Sequence, residues 1–150
     1  MQRVLIAIDY HPSSEKVAEA GYELAKKMNA EVCLLHVFTE TKYYGVEFPT
    51  FLGYDSYNVA LNMEMQSEIK KVAENYVEEA AKHLGKNIQT QLKVGETAEE
   101  ILKYSKEWKA DLVVMGTHSR STLEKLFMGT EATKVLENTT IPVFMVPVKK

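Results

Sequence analysis

The chain has 150 residues, 45% hydrophobic and 26% charged, with a formal net charge of −3. This is ordinary globular composition for one domain spanning 1–150, and the charge gives no reason to expect nucleic acid or an acidic membrane as partner. The single cysteine, Cys33, excludes an internal disulfide, no apolar run approaches the roughly 20 residues of a membrane span, and "MQRVLIAID" is too short a core for a secretory signal, so the expectation is a cytoplasmic protein.

The elements alternate in chain order. "RVLIAID" is a short β-branched strand, and "SSEKVAEAGYELAKKM" repeats Val17, Ala20, Gly21, Leu24, Ala25 and Met28 at helical spacing. Ser13 or Ser14 is placed to cap that helix, and Glu15 suits its positive end. "EVCLLHV" is a second apolar strand, with Cys33 as a small core residue. A polar, tyrosine-rich passage follows, a long loop over about 39–60. A long helix carries one stripe of Met65, Ile69, Val72, Ala73, Tyr76, Val77, Ala80 and Leu84, and Gly85 ends it. "NIQTQLKV" alternates, with Ile88, Thr90, Leu92 and Val94 on one face. "ETAEEILKYSKEWK" is a third helix, with Thr97 and Glu100 at capping-box spacing. "DLVVM" is a fourth strand, "TEATKVLEN" a fourth helix, and "IPVFMVPV" a fifth strand whose Pro142 and Pro147 confine it to an edge.

This β-α-β-α-β-α-β-α-β order, with right-handed crossovers, predicts an open five-stranded parallel α/β sheet with helices on both faces. The near-continuous apolar strands one, two and four belong in the centre, and the alternating third and proline-bearing fifth at the edges. The spatial order is then 3-2-1-4-5, and the connections reverse direction between strands one and four. Ligands of such sheets enter the crevice beyond the strand carboxyl ends at that point. Asp9, His11, His36, His118 and the 115–130 loop are therefore expected near one another.

The loop "MGTHSRSTLEKLFMGT" has two open readings. It turns the chain between strand and helix with one glycine, or it cradles a phosphate at the helix start formed by Gly129 and Thr130. There is no GxxxxGK[ST] P-loop and no GxGxxG after strand one. The histidines and Asp9 have ligand-type side chains, but no HxxxH spacing brings them to a metal, and polar strand ends are the simpler account. Ser13, Ser14, Ser119 and Ser121 include no GxSxG nucleophile, and no general base is evident, so no catalytic residue is assigned. His83, late in the long helix, reads as a surface residue. The segment 43–57 holds four of the eight tyrosines, with Gly45, Pro49 and Gly53, and reads either as a cover over a ligand or partner or as a self-packed loop.

Four passages resemble the universal stress protein family: "VLIAID", "AEVCLLHV", "GETAEEILKYSKEWKADLVVMGTHSR" and "LEKLFMGTEATKVLENTTIPVFMVP". Its nucleotide-binding members carry G-x2-G-x9-G-[ST] after strand four, which falls here on Gly116, Ser119, Gly129 and Thr130. One of the three glycines is replaced, by Ser119. The chain also has Tyr10-His11-Pro12 where the family often has Gly-Ser after the first aspartate.

The resemblance implies a Rossmann-like sheet of the adenine nucleotide alpha hydrolase type. It implies ATP or AMP in the crevice, Mg²⁺ only with the nucleotide, slow or no hydrolysis, and a homodimer through the last strand, 141–148. It places Ala7 and Asp9 at the nucleoside end, Val37 at the base, and Met115 and Gly116 at the ribose. Gly129, Thr130 and Glu131 are placed as donors to the phosphates, with Ser119 and Arg120 between them in the loop. The alternatives are a dimer that acts through its surface without nucleotide, and a weak ATPase.

Overall fold

A computed structural model describes residues 1–9, 14–38, 55–117 and 130–148, with backbone alone at 55–66, 69 and 130. Its elements are β1 (Arg3–Ile8), α1 (Ser14–Met28), β2 (Glu31–Phe38), α2 (Asp55–Leu84), β3 (Ile88–Val94), α3 (Thr97–Glu107), β4 (Leu112–Gly116), α4 (Thr130–Asn138) and β5 (Val143–Val146). The strands form one sheet in the order β3-β2-β1-β4-β5, and every neighbouring pair is parallel. This is the expected 3-2-1-4-5 order.

Side-chain alternation along the central strands builds two apolar layers. Val4, Ile6 and Ile8 of β1 join Val32, Leu34 and Val114 against Val17, Ala18 and Ala25 of α1 and Val77 and Ala81 of α2. On the opposite face, Leu5, Cys33, Leu35, Val113 and Met115 pack against Ala98 and Ile101 of α3 and Ala132 and Val135 of α4. Helices therefore cover both faces. Gly21 lets α1 lie close to the sheet: a Cβ there would come within 2.8 Å of Ile6 Cδ1 and 3.1 Å of Val114 Cγ1.

Two helices close with the same device. Asn29 follows α1 at φ 54° and Lys109 follows α3 at φ 58°, both left-handed. The Ala30 N–H then reaches the Ala25 carbonyl at 3.0 Å, and the Ala110 N–H reaches the Ser105 carbonyl at 2.9 Å, satisfying carbonyls that would otherwise end the helix unpaired.

Three local expectations are revised. Helix α2 begins at Asp55, so residues 55–60 are helical and the passage between β2 and α2 is shorter than the expected 39–60 loop. No glycine or proline lies between Asp55 and Leu84, and nothing in that stretch opposes continuing the helix. In β3 the alternating face is incomplete: Thr90 is exposed and Val94 is 38% exposed, on a strand at the edge of the sheet. The cap of α3 lies one residue earlier than expected. Glu96 accepts from the backbone N–H groups of Ala98 and Glu99, its longer carboxylate doing what Thr97 was expected to do.

Candidate functional site

Register brings the candidate residues to one end of the sheet. Ile8 pairs with His36 across β1 and β2, and Ile6 pairs with Val114 across β1 and β4. Asp9, Val37 and Met115–Gly116 therefore sit at or just past the carboxyl ends of three adjacent strands. Ala7, half-buried, lies one step back, opposite Leu35. Val37 and Met115 are buried on the same face of the sheet. Asp9 is exposed where β1 ends.

Asp9 is held on two sides. Its backbone N–H donates to Ser14 Oγ at 2.9 Å, and the Ser14 hydroxyl donates back to Asp9 Oδ1 at 2.7 Å. Ser14 is the first residue of α1, so its hydroxyl serves the strand end rather than a free N–H of its own helix. The Tyr76 hydroxyl, from α2, donates to the Asp9 backbone carbonyl. Burial pushes the Tyr76 phenol up from its ordinary value, so it stays a neutral donor.

His36 is not a strand end facing the crevice, as the sequence suggested. It is 3% exposed, with Nδ1 at 3.0 Å from the Ile8 carbonyl and its ring edge-on to Tyr76 at 5.7 Å. A carbonyl only accepts, so Nδ1 carries the hydrogen. Burial lowers the His36 pKa, outweighing the opposing pull of the Ile8 carbonyl and Asp9. His36 thus supports the floor beneath Asp9 as a neutral ring. His83 is exposed as expected, 3.6 Å from Glu15 and 3.8 Å from Glu19. His11 and His118 lie outside the described residues.

Gly116 has a packing reason as well as a place at the crevice. A Cβ there would come within 2.8 Å of Val17 Cγ2 in α1 and 3.1 Å of Val148 Cγ2. The next residue joins β4 to the edge: the Thr117 N–H donates to the Val146 carbonyl at 3.0 Å, and Thr117 Oγ1 accepts from the Val148 N–H at 3.1 Å. Ser119, Arg120 and Gly129 lie outside the described residues, and Thr130 begins α4.

Glu131 is the residue whose side chain was unforeseen. The sequence offered its backbone N–H to a phosphate. Its carboxyl turns away toward α3, where Oε2 accepts from the Ala98 N–H at 2.9 Å beside Glu96. Glu96 also accepts from the Glu99 N–H at 2.8 Å and meets Lys134 Nζ at 3.3 Å. Burial and the hydrogen bond to Glu96 push the Glu131 carboxyl up. Burial pushes Glu96 up too, but the Glu99 N–H, Glu131 and Lys134 together outweigh it and hold Glu96 below the usual range. The two carboxyls share one donor, the Ala98 N–H, at 3.4 Å from Glu96 Oε1 and 2.9 Å from Glu131 Oε2, and this pairing shifts them in opposite directions.

An open parallel α/β sheet in the order β3-β2-β1-β4-β5, with helices on both faces, defines a doubly wound protein whose switch point lies between β1 and β4. The chain belongs to the universal stress protein family, whose model matches residues 1–147. Universal stress protein YxiE of Bacillus subtilis is 33% identical over 148 residues, covering 96% of this chain and 97% of that protein. The solved structure of MJ0577 superposes with a TM-score of 0.78 at 24% identity, over 99% of this chain and 97% of that one. The Archaeoglobus fulgidus universal stress protein in complex with dAMP superposes with a TM-score of 0.61 at 17% identity, over 97% of each chain. No helix among the described residues is long and apolar enough to cross a membrane.

Proposed function

We propose that this chain binds an adenine nucleotide, ATP or AMP, in the crevice at the switch point. It acts as a dimeric stress-response module with slow or no hydrolysis. The observation that carries the reading is the meeting of Asp9, Val37 and Met115–Gly116 at the carboxyl ends of the adjacent strands β1, β2 and β4, with the reversal of connection between β1 and β4. The start of α4, at Thr130, is in this reading the end of the helix that offers backbone N–H groups to phosphate, and Thr130 is assigned a hydroxyl contact. In this reading Ala7 and Asp9 hold the nucleoside and Val37 meets the base. Met115 and Gly116 line the ribose, and Gly129, Thr130 and Glu131 donate to phosphate. Ser119 and Arg120, within the same motif, are assigned to the phosphates, Arg120 for its positive charge. That an A. fulgidus protein of the same fold forms a complex with dAMP supports the choice of an adenylate as ligand. Mg²⁺ accompanies the nucleotide, bound chiefly by phosphate oxygens and water. The dimer forms through 141–148.

Purified protein is denatured and its supernatant chromatographed for nucleotide, and a second sample is melted with and without ATP·Mg²⁺ and AMP. Nucleotide near one per chain, or a thermal shift lost in Gly129→Val, supports the reading. No co-purified nucleotide and no shift with either ligand would sink it.

A further inference from the structure

Where phosphate-binding backbone meets solvent, an acid is a liability, because like charges disfavour the anion. Glu131 lies one residue into α4, yet its carboxyl is drawn to the N-terminus of α3. The contact spans 33 residues of sequence and, with the Lys134–Glu96 ion pair at 3.3 Å, adds a polar link to the apolar packing between the two helices. The titratable and charged groups facing Glu131 among the described residues are Glu96 before α3 and Lys134 on α4 itself. Glu96 already holds the Glu99 N–H and Lys134, so it keeps its charge. Glu131 is half-buried and shares the Ala98 N–H with Glu96. A carboxylate there repels Glu96; a carboxylic acid accepts from Ala98 with one oxygen and donates to Glu96 with the other.

We propose that Glu131 is a proton-linked positioning residue: its protonated carboxyl ties the start of α4 to α3, and an anion bound at that start is accompanied by proton uptake on Glu131. The ligand half rests on the nucleotide reading; the tie itself does not. Anionic phosphate beside α4 raises the proton affinity of Glu131. By reciprocity, ionising Glu131 weakens phosphate binding. Affinity for the nucleotide therefore falls as pH rises through the Glu131 titration. Stability follows the same sign: a group whose pKa is raised by folding contributes below its ordinary value and loses that contribution as pH rises through the folded one.

Glu131→Gln reproduces the protonated acid at every pH, since its amide oxygen accepts from Ala98 and its NH₂ donates to Glu96. Thermal melts of the two proteins without ligand are compared from about pH 5 to about pH 8. The readout is the gap between the two melting temperatures. That gap is expected to widen with pH by about 2–4 °C, in favour of the variant. A gap that does not change with pH overturns the tie. AMP affinity is then measured across the same range. Titration of the AMP phosphate is common to both proteins and cancels in the ratio of their Kd values. The ratio of wild-type to variant Kd is expected to rise about fivefold, the low end of inter-site coupling. A constant ratio with both proteins binding overturns proton uptake. If neither binds AMP, the nucleotide reading and the ligand half fall together, while the melts still decide the tie. Glu131→Ala, which removes both hydrogen bonds, is expected to melt below wild type at every pH in the range. Equal melting overturns the positioning role.

Discussion

Ser14 and Asp9 hold each other in both directions, the Asp9 N–H donating to Ser14 Oγ and the Ser14 hydroxyl donating to Asp9 Oδ1. The pair welds the end of β1 to the first turn of α1 and orients the carboxylate assigned to the nucleoside. Ser14→Ala removes both bonds and leaves the Asp9 N–H, which is part-buried, without this acceptor. The expected cost is about 1–2 kcal/mol of stability, read by urea denaturation. AMP affinity is expected to fall several-fold as the carboxylate loses its orientation. Ser14→Thr, which keeps the hydroxyl, is expected to restore most of both.

Gly116→Ala tests whether the first motif glycine serves packing. The added Cβ meets Val17 Cγ2 at 2.8 Å, inside any ordinary contact distance. Overpacking of this kind costs about 1–3 kcal/mol. The companion Val17→Ala removes the methyl groups on the other side of the clash. The double variant is expected to be more stable than the sum of the single losses, a coupling that a denaturation cycle measures directly. Additive losses would mean that Val17 is not what excludes a side chain at 116.

Lys109 sits at φ 58° on an exposed turn after α3. A side chain in that conformation costs roughly 1 kcal/mol that glycine does not. Lys109→Gly is expected to raise the melting temperature by about 2–4 °C for a gain of that size. It precedes the start of β4, whereas Met115 and Gly116 lie at that strand's carboxyl end, so nucleotide affinity serves as its internal control and is expected not to change.

His36 predicts an acid limb in stability. Burial lowers its pKa in the fold, so the unfolded chain takes up a proton first as pH falls. Stability from this group is present above its ordinary value near 6.5 and is lost as pH falls from there toward the folded value. His36→Asn keeps a donor for the Ile8 carbonyl but does not titrate. The variant is expected to melt lower at neutral pH, because it fills less space, and to lose less stability between about pH 7 and about pH 5 than wild type. An identical slope in both proteins would place the acid sensitivity elsewhere.

The strand order was legible because apolar continuity reports burial on both faces, and β1, β2 and β4 carry it while β3 and β5 do not. Cys33 was legible for the same reason: it is fully buried, and burial pushes its thiol up to about 11. What sequence could not reveal were contacts decided by where an element ends in space. Nothing near His36 signals that its ring turns under β1 toward Ile8. Nothing near Glu131 signals a helix N-terminus 33 residues earlier. The Ser14–Asp9 bridge is short in sequence, but a serine before a helix ordinarily caps that helix, and the usual preference concealed the actual partner. For the same reason the Thr97–Glu100 spacing suggested a cap that the neighbouring Glu96 supplies.

The two prolines around β5 limit what the sheet edge can become. Val143–Val146 is a four-residue strand bounded by Pro142 and Pro147, with Phe144 41% exposed. Neither proline has an N–H to give, so any strand laid alongside is zipped only over that short span before the ladder stops. A template this brief suits a single incoming strand anchored by an aromatic ring. It is a poor seed for the long, repeating hydrogen-bonded stacks from which insoluble fibres grow.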